Sequence, residues 1–229
     1  MSLNHSPAIV TDGLVLCLDA ANVRSYPKSG TTWSDLIGTN DGTLINTPTY
    51  DSENGGSILF DGTNQYINMG TGYSISTSSP FSVECWFYLS AYGGQYPTIC
   101  QLKTDSQYAW NFALSQQSGY NGILFGSVNT WSRLRTDNPP STGQWHNVCL
   151  TYDGSSSFSV YLDLSLETLT GAHSFLSTTQ NNYIGTINAA SRGATDAWNG
   201  YISGFKLYNK TLTADEIRRN YEATVGRYT

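Results

Sequence analysis

Seven side chains in the middle third of the chain have the types and spacing to hold a sugar: Tyr92, Tyr96, Tyr108, Trp110, Tyr120 and Trp131, with Arg133 just beyond the last. A sugar ring offers C–H groups to an aromatic face and hydroxyls to amides, carboxylates and guanidinium. Rings set among polar residues near loops therefore suit glycan binding. They suit cores and subunit interfaces equally, and packing is the commoner use of any single one.

Covalent chemistry has less to work with. A nucleophilic hydrolase needs a Ser, Cys or Thr beside a base. The sequence has no G-x-S-x-G elbow, and its histidines are His5, His146 and His173. His146 reads as an imidazole hydrogen-bonded within a sheet and not as a base. H-E-x-x-H, C-x-x-C and EF-hand patterns are absent, and Gly70-Thr71-Gly72 lacks the following glycine and helix that would cradle a phosphate. No catalytic residue is expected. The acidic pairs Asp51 with Glu53 and Asp163 with Glu167 read as solvated loop charges. No firm cofactor follows either; calcium is the one considered, with Asp19, Asp61, Asn64 and Asp153 as weak oxygen donors in loops. Turn geometry alone also explains Asp-Gly and Asn at such places.

Charged residues make up 12% of the chain, against about 25% in an average domain. Net charge is -6. A phosphate backbone needs a basic stripe, so nucleic acid is excluded as a partner. No apolar run is long enough for a membrane span or a signal core, residues 13–18 being too few, so no membrane partner is expected. Cys17, Cys85, Cys100 and Cys149 have no paired spacing, and three sit in apolar runs, which reads as free buried thiols and folding in a reducing cytoplasm. Asn4-His5-Ser6 and Asn209-Lys210-Thr211 match the glycosylation sequon, a pattern short enough to arise by chance.

The elements that must position these residues are strands. Residues 145–152 are rich in aromatic and branched side chains, Asp153-Gly154 and the serines after it form a turn, and Phe158, Val160 and Leu162 alternate with Ser159, Tyr161 and Asp163. This hairpin needs a second sheet over its apolar face. Further strands are expected at 14–18, 57–60, 65–69, 81–89, 98–102, 108–114, 123–128, 131–135, 182–187 and 200–208, with 81–89 central because both its faces carry aromatics. Residues 19–48 read as a long loop region anchored by Trp33, Leu36 and Ile37. Thr213 with Glu216 is a capping box opening a helix that places Ile217 and Tyr221 on one face. Residues 1–12 read as an arm or lead-in and 13–229 as one domain, without repeats or linkers.

Four segments carry a family resemblance. G-x-W-H-x-V-x-x-T-Y-D-G at 143–154, SILFDGTNQYIN at 57–68, FSVECWFYL at 81–89 and the closing WNGYISGFKLYNKTLTADEIRRNY resemble the laminin-G-like, concanavalin A-like domains, in that family's order. The resemblance implies an all-β jelly-roll sandwich of two antiparallel sheets with a short C-terminal helix. Glycosidases of the fold carry an E-x-D-x-E strand that supplies nucleophile and acid; this sequence has none. Many relatives hold a calcium ion, but the family's acidic closing strand is replaced here by Gly200-Tyr201-Ile202-Ser203-Gly204-Phe205. The V-N-G or V-D-G turn is replaced by Leu162-Asp163-Leu164-Ser165, so a different loop is expected, with Leu164 and Leu166 exposed as interface candidates.

The opening L-D-A-x-N…W-x-D-L-x-G…D-G-T-L resembles phage and marine microbial members. The leading expectation is a non-enzymatic virion surface protein, a capsid decoration, fibre or tail module assembled in a host cytoplasm, displaying a lectin-like sandwich that binds glycans. Its partners would be further copies of itself, most plausibly as a trimer, and capsid or tail proteins. A bacterial carbohydrate-binding module or adhesin is the alternative, a purely structural module the third, and a glycoside hydrolase the last.

Overall fold

A computed structural model describes residues 7–93, 96–103, 108–118, 120–126, 133–172, 176–177, 181–187 and 196–229, with backbone alone for 108–110, 120, 176 and 177. In chain order the strands are β1 (Leu14–Asp19), β2 (Thr32–Trp33), β3 (Gly42–Ile45), β4 (Thr49–Asp51), β5 (Ser57–Asp61), β6 (Tyr66–Gly70), β7 (Phe81–Leu89), β8 (Thr98–Lys103) and β9 (Tyr108–Gln117). There follow β10 (Tyr120–Gly126), β11 (Arg133–Thr136), β12 (Trp145–Tyr152), β13 (Phe158–Leu162), β14 (Ser165–Leu166), β15 (Leu169–Thr170), β16 (Leu176–Ser177), β17 (Asn182–Ile184) and β18 (Asn199–Tyr208), then helix α1 (Ala214–Thr224).

Among the described residues these strands form two antiparallel sheets. One has eight strands in the order β14-β13-β12-β7-β18-β5-β4 with β1 also on β18, and the other has ten in the order β15-β11-β10-β9-β8-β17-β6-β3-β2 with β16 also on β9. Strand alternation gives each sheet an inner and an outer face. Phe81, Val83, Cys85, Phe87 and Leu89 of β7 meet Cys100, Leu102, Phe112, Leu114, Ile123 and Phe125 of the other sheet in one buried core. Each such large side chain removed from water contributes about 1.5–3 kcal/mol. All four cysteines are free and buried, as their apolar settings require.

Strand β7 is central, between β12 and β18, and its outer face is buried too. Helix α1 covers that face. Thr213 caps it with the expected reciprocal box, its hydroxyl accepting from the Glu216 N–H while the Glu216 carboxylate accepts from the Thr213 N–H. Beneath it, Glu84 accepts from Lys206 Nζ at 3.1 Å and from Asn220 Nδ2 at 2.6 Å, and Trp86 donates to Thr224 Oγ1 at 2.8 Å. Tyr228 stacks on Trp86, with centroids 4.1 Å apart. Polar residues on an outer strand position are thus closed over by the chain's own end.

The hairpin of β12 and β13 turns where expected. Asp153 accepts from the N–H groups of Ser155, Ser156 and Ser157, and Gly154 takes φ 86°, where a Cβ would come 2.8 Å from the Pro80 nitrogen.

Several expectations need correction. The 19–48 region contains β2 and β3, because Trp33 is wholly buried and draws its segment into the ten-stranded sheet. Leu36 packs on the second apolar cluster as expected, but Ile37 is 51% exposed and anchors nothing. The closing strand near 182 ends at Ile184, since Gly185 turns at φ 84° and its N–H donates to Ile99 O. Strand β10 begins at Tyr120 and not at 123 and is described to Gly126, and β11 is described from Arg133; the expected limits at Val128 and Trp131 lie outside the described residues.

The turn after β13 is also corrected. It stays a two-residue loop between Leu162 and Ser165, with Asp163 at φ 49° and Leu164 at φ 70°. Two left-handed residues match the twist of a hairpin, a geometry that normally selects Asn-Gly. Asp163 tolerates it through side-chain hydrogen bonds: Oδ1 accepts from the Asn147 N–H at 2.7 Å. Leu164 is held by packing, half-buried on the cluster of Val10, Leu14, Cys17, Cys149, Tyr208, Leu212 and Ile217. It is therefore covered by its own chain, whereas Leu166 is 61% exposed.

Candidate functional site

The outer side of the ten-stranded sheet carries a row of polar side chains that follows from register, of which Gln101, Asn111, Arg133 and Tyr183 are buried. Asn68 of β6 pairs with Tyr183 of β17, Tyr183 with Gln101 of β8, Gln101 with Asn111 of β9, Asn111 with Gly126 of β10, and Gly126 with Arg133 of β11. Their neighbours Cys100, Phe112 and Phe125 point into the core, so the pleat sends this row outward. Amides, a phenol and a guanidinium thus stand side by side across six strands.

Gly126 leaves a gap in that row. The gap is a cavity of about 10 Å³ bordered by Asn111, Ala113, Leu124, Phe125, Gly126 and Arg133. That is room for one water-sized polar group. Asn111 is 2% exposed, and among the described residues neither its amide oxygen nor its nitrogen has a hydrogen-bond partner. Such a group keeps the capacity of two donors and an acceptor unspent at the gap. Arg133 places its guanidinium 4.2 Å over the ring of Tyr96, whose hydroxyl pairs with Gln117. Tyr96 and Arg133 are therefore brought together beside Asn111.

The other expected residues are distributed differently. Tyr108, Trp110 and Tyr120 lie on β9 and β10, with only their backbone described, and Trp131 lies outside the described residues. Tyr92 packs on the core and donates to Pro140 O at 2.8 Å, and burial raises its hydroxyl above the usual phenol range. It is committed to structure. Asn111 was missed by the sequence reading; the available signal was a lone amide at an outward position of an apolar strand.

The weak calcium candidates are not brought together. Asp19 receives Arg227 through both oxygens at 2.8 and 3.1 Å, Asp61 accepts from Thr63 N–H, and Asn64 O accepts from Asn46 Nδ2. Asp153 is held well below the usual carboxylate range by N–H donors of Ser157, Ser155 and Ser156. Among the described residues no three of His, Cys, Asp or Glu converge.

His146 is bonded within the sandwich as expected, but its partners are notable. Nδ1 lies 2.6 Å from Asp163 Oδ2, and Nε2 lies 3.1 Å from Ser141 Oγ. In atom order this is nucleophile, base and orienting acid. The same Nε2 is 3.2 Å from the Ser141 carbonyl and 3.3 Å from Gln144 Nε2, so the ring ties residues 141–144 to the sheet. The imidazole is 4% exposed and packs against Phe87. Asp163, read as a solvated charge, is corrected to the anchor of this ring.

The fold is that of a lectin-type β-sandwich. Residues 61–218 match the laminin-G-type model of the concanavalin A-like lectin/glucanases superfamily, and the chain belongs to that family. Comparison with curated proteins gave no match. Among solved structures the chain is similar to Trypanosoma rangeli sialidase in complex with 2,3-difluorosialic acid, at TM-score 0.66 and 16% identity, covering 96% of this chain and 34% of the sialidase. It spans about a third of that protein. It is also similar to domain 4 of an extracellular arabinanase from Geobacillus stearothermophilus, in complex with arabinotriose, at TM-score 0.67 and 19% identity, covering 92% and 98% of the two chains. The botulinum neurotoxin serotype D binding domain gives TM-score 0.66 at 14% identity, covering 93% and 52%. At these identities the likeness is one of fold.

Proposed function

We propose that this chain is a non-catalytic carbohydrate-binding sandwich whose binding face is the outer polar row of the ten-stranded sheet. The observation that carries the reading is the buried, unpartnered Asn111 amide beside the Arg133–Tyr96 pair. Support comes from family membership and from the arabinanase domain, which has arabinotriose bound. Paired donors and acceptors on a rigid sheet discriminate among hydroxyl arrangements, because a wrong arrangement leaves buried polar groups unpaired.

The test is a glycan array followed by calorimetry on the best hits, arabino-oligosaccharides included. Saturable binding that Asn111→Ala weakens at least about tenfold supports the reading. Retention of no glycan, or binding indifferent to Asn111, overturns it. Steady release of reducing ends from a bound glycan would make the chain a hydrolase instead.

A further inference from the structure

Three aromatic rings stand in one cross-strand row on the outer face of the other, eight-stranded sheet. Trp145 of β12 is registered against Tyr88 of β7, and Tyr88 against Tyr201 of β18. Phe87, Leu89 and Ile202 next to them fill the core, so these rings point away from it. Ring centroids are 5.8 Å apart for Trp145 and Tyr88, 5.5 Å for Tyr88 and Tyr201, and 6.2 Å for Trp145 and Tyr201. Their planes are inclined by 62°, 85° and 45° in the same order. They are thus arranged as walls and not as a stack, and all three are half-buried.

The rings line an open cleft of about 130 Å³ that is also bordered by Asp51 at the end of β4, Glu53 and Asn54 of the β4–β5 connection, and Ser57 at the start of β5. Its charged wall is acidic: Asp51 and Glu53 border it, and among the described residues no lysine or arginine does. The carboxylates act on the rings directly. Burial first, then the charges of Asp51 and Glu53 with Tyr88 beside them, raise the Tyr201 hydroxyl above its usual range. The nearby Arg227 does not neutralise them, since its guanidinium is paired with Asp19, and its carbonyl lies 3.1 Å from the side chain of Asn54.

Both halves of this wall favour positive charge. Aromatic faces attract a cation through their quadrupole, most of all Trp, and carboxylates attract it by charge. A neutral sugar would gain from neither electrostatic term. A primary ammonium would have to replace three hydrogen bonds to water, whereas a methylated one presents C–H surface to rings and asks for no acceptor. The volume is enough for a trimethylammonium group. We propose that the cavity between Tyr88, Trp145 and Tyr201 is a binding site for a quaternary or methylated alkylammonium group, with Asp51 and Glu53 supplying the countercharge. This site is on the opposite sheet from Asn111 and is independent of the glycan reading.

The test titrates the full chain with choline and with tetramethylammonium, read by Trp fluorescence and calorimetry, alongside 3,3-dimethylbutan-1-ol as the neutral isostere of choline and methyl glucoside as a neutral sugar. The expected result is saturable binding of both cations in the millimolar range or tighter, and at least about tenfold weaker binding of the neutral alcohol. Trp145→Ala should abolish it. The double exchange Asp51→Asn with Glu53→Gln, which keeps the side-chain acceptor of the Glu53 N–H, should weaken it about tenfold with an unchanged melting temperature. Asn111→Ala should leave it unaltered. Equal binding of the neutral isostere, binding of the sugar in preference to the cations, an unaffected double variant, or no saturation by either cation would each overturn the proposal.

Discussion

A buried amide without a partner destabilises the fold that holds it by about 1–3 kcal/mol, and Asn111 is such an amide. Asn111→Ala is therefore expected to leave stability unchanged or raise it by up to about 1 kcal/mol while glycan affinity falls, a division checked by denaturant unfolding beside calorimetry. A purely structural Asn would lose both together. Asp163 carries the opposite balance. Its carboxylate binds His146 and the Asn147 N–H, and its backbone sits at φ 49°. Asp163→Ala removes two charge-assisted bonds while keeping the left-handed strain, so a loss of about 2–3 kcal/mol is expected in urea midpoints at constant m. These two residues could be read only so far from the chain. Asp163 stood visibly where a glycine turn was due, but its partner His146 is seventeen positions away across a hairpin, and nothing local shows that an Asn lacks a partner.

Among the elements, α1 was legible from Thr213 and Glu216, since a capping box is a local pattern. What lies beneath it was not. Glu84 and Lys206 alternate with core residues on β7 and β18, and their contact depends on the pairing of those strands. Burial works against the Lys206 charge, but the attraction of Glu84 outweighs it and raises the lysine above its usual range. Removing one partner strands the other: Glu84→Ala is expected to cost about 3–5 kcal/mol. Glu84→Leu combined with Lys206→Met should recover most of that loss, and thermal melts of the single and double variants check the coupling. Asn220 also donates to Glu84 and to the Tyr208 hydroxyl, so recovery should be incomplete unless it is replaced as well.

At the scale of the molecule, buried groups set the response to alkali. Burial, with Asp19, Asp35 and Glu84 nearby and against the pull of Lys206, pushes the Cys17 thiol from 9.0 up to about 11. A raised folded value means stability fully present below pH 9 and lost as pH rises towards 11. Cys100, Cys149 and Tyr208 are raised too, and the raised Lys206 adds in the same direction. Stability should therefore fall above pH 9, by up to about 1.4 kcal/mol per pH unit for each titrating group. Denaturant midpoints on either side of that pH check it, and Cys17→Ala should flatten the fall.

Association belongs to the same scale. Leu166 is exposed on β14 at the edge of the eight-stranded sheet, where unpaired backbone favours pairing with another chain. Leu166→Lys is therefore expected to lower the solution mass of the chain, checked by light scattering beside the unaltered protein.

The sequence by itself determined the all-β class, the β12–β13 hairpin, the central place of β7, the capped helix and the free thiols. Each rests on alternation, turn residues or capping, which act between neighbours in the chain. The tertiary structure decided which outward side chains share a face. The Asn68-to-Arg133 row and the Trp145–Tyr88–Tyr201 row are products of strand register across residues far apart in sequence. A shift of one residue in any strand would send its members into the core. Composition shows that such side chains are present; only pairing brings them together.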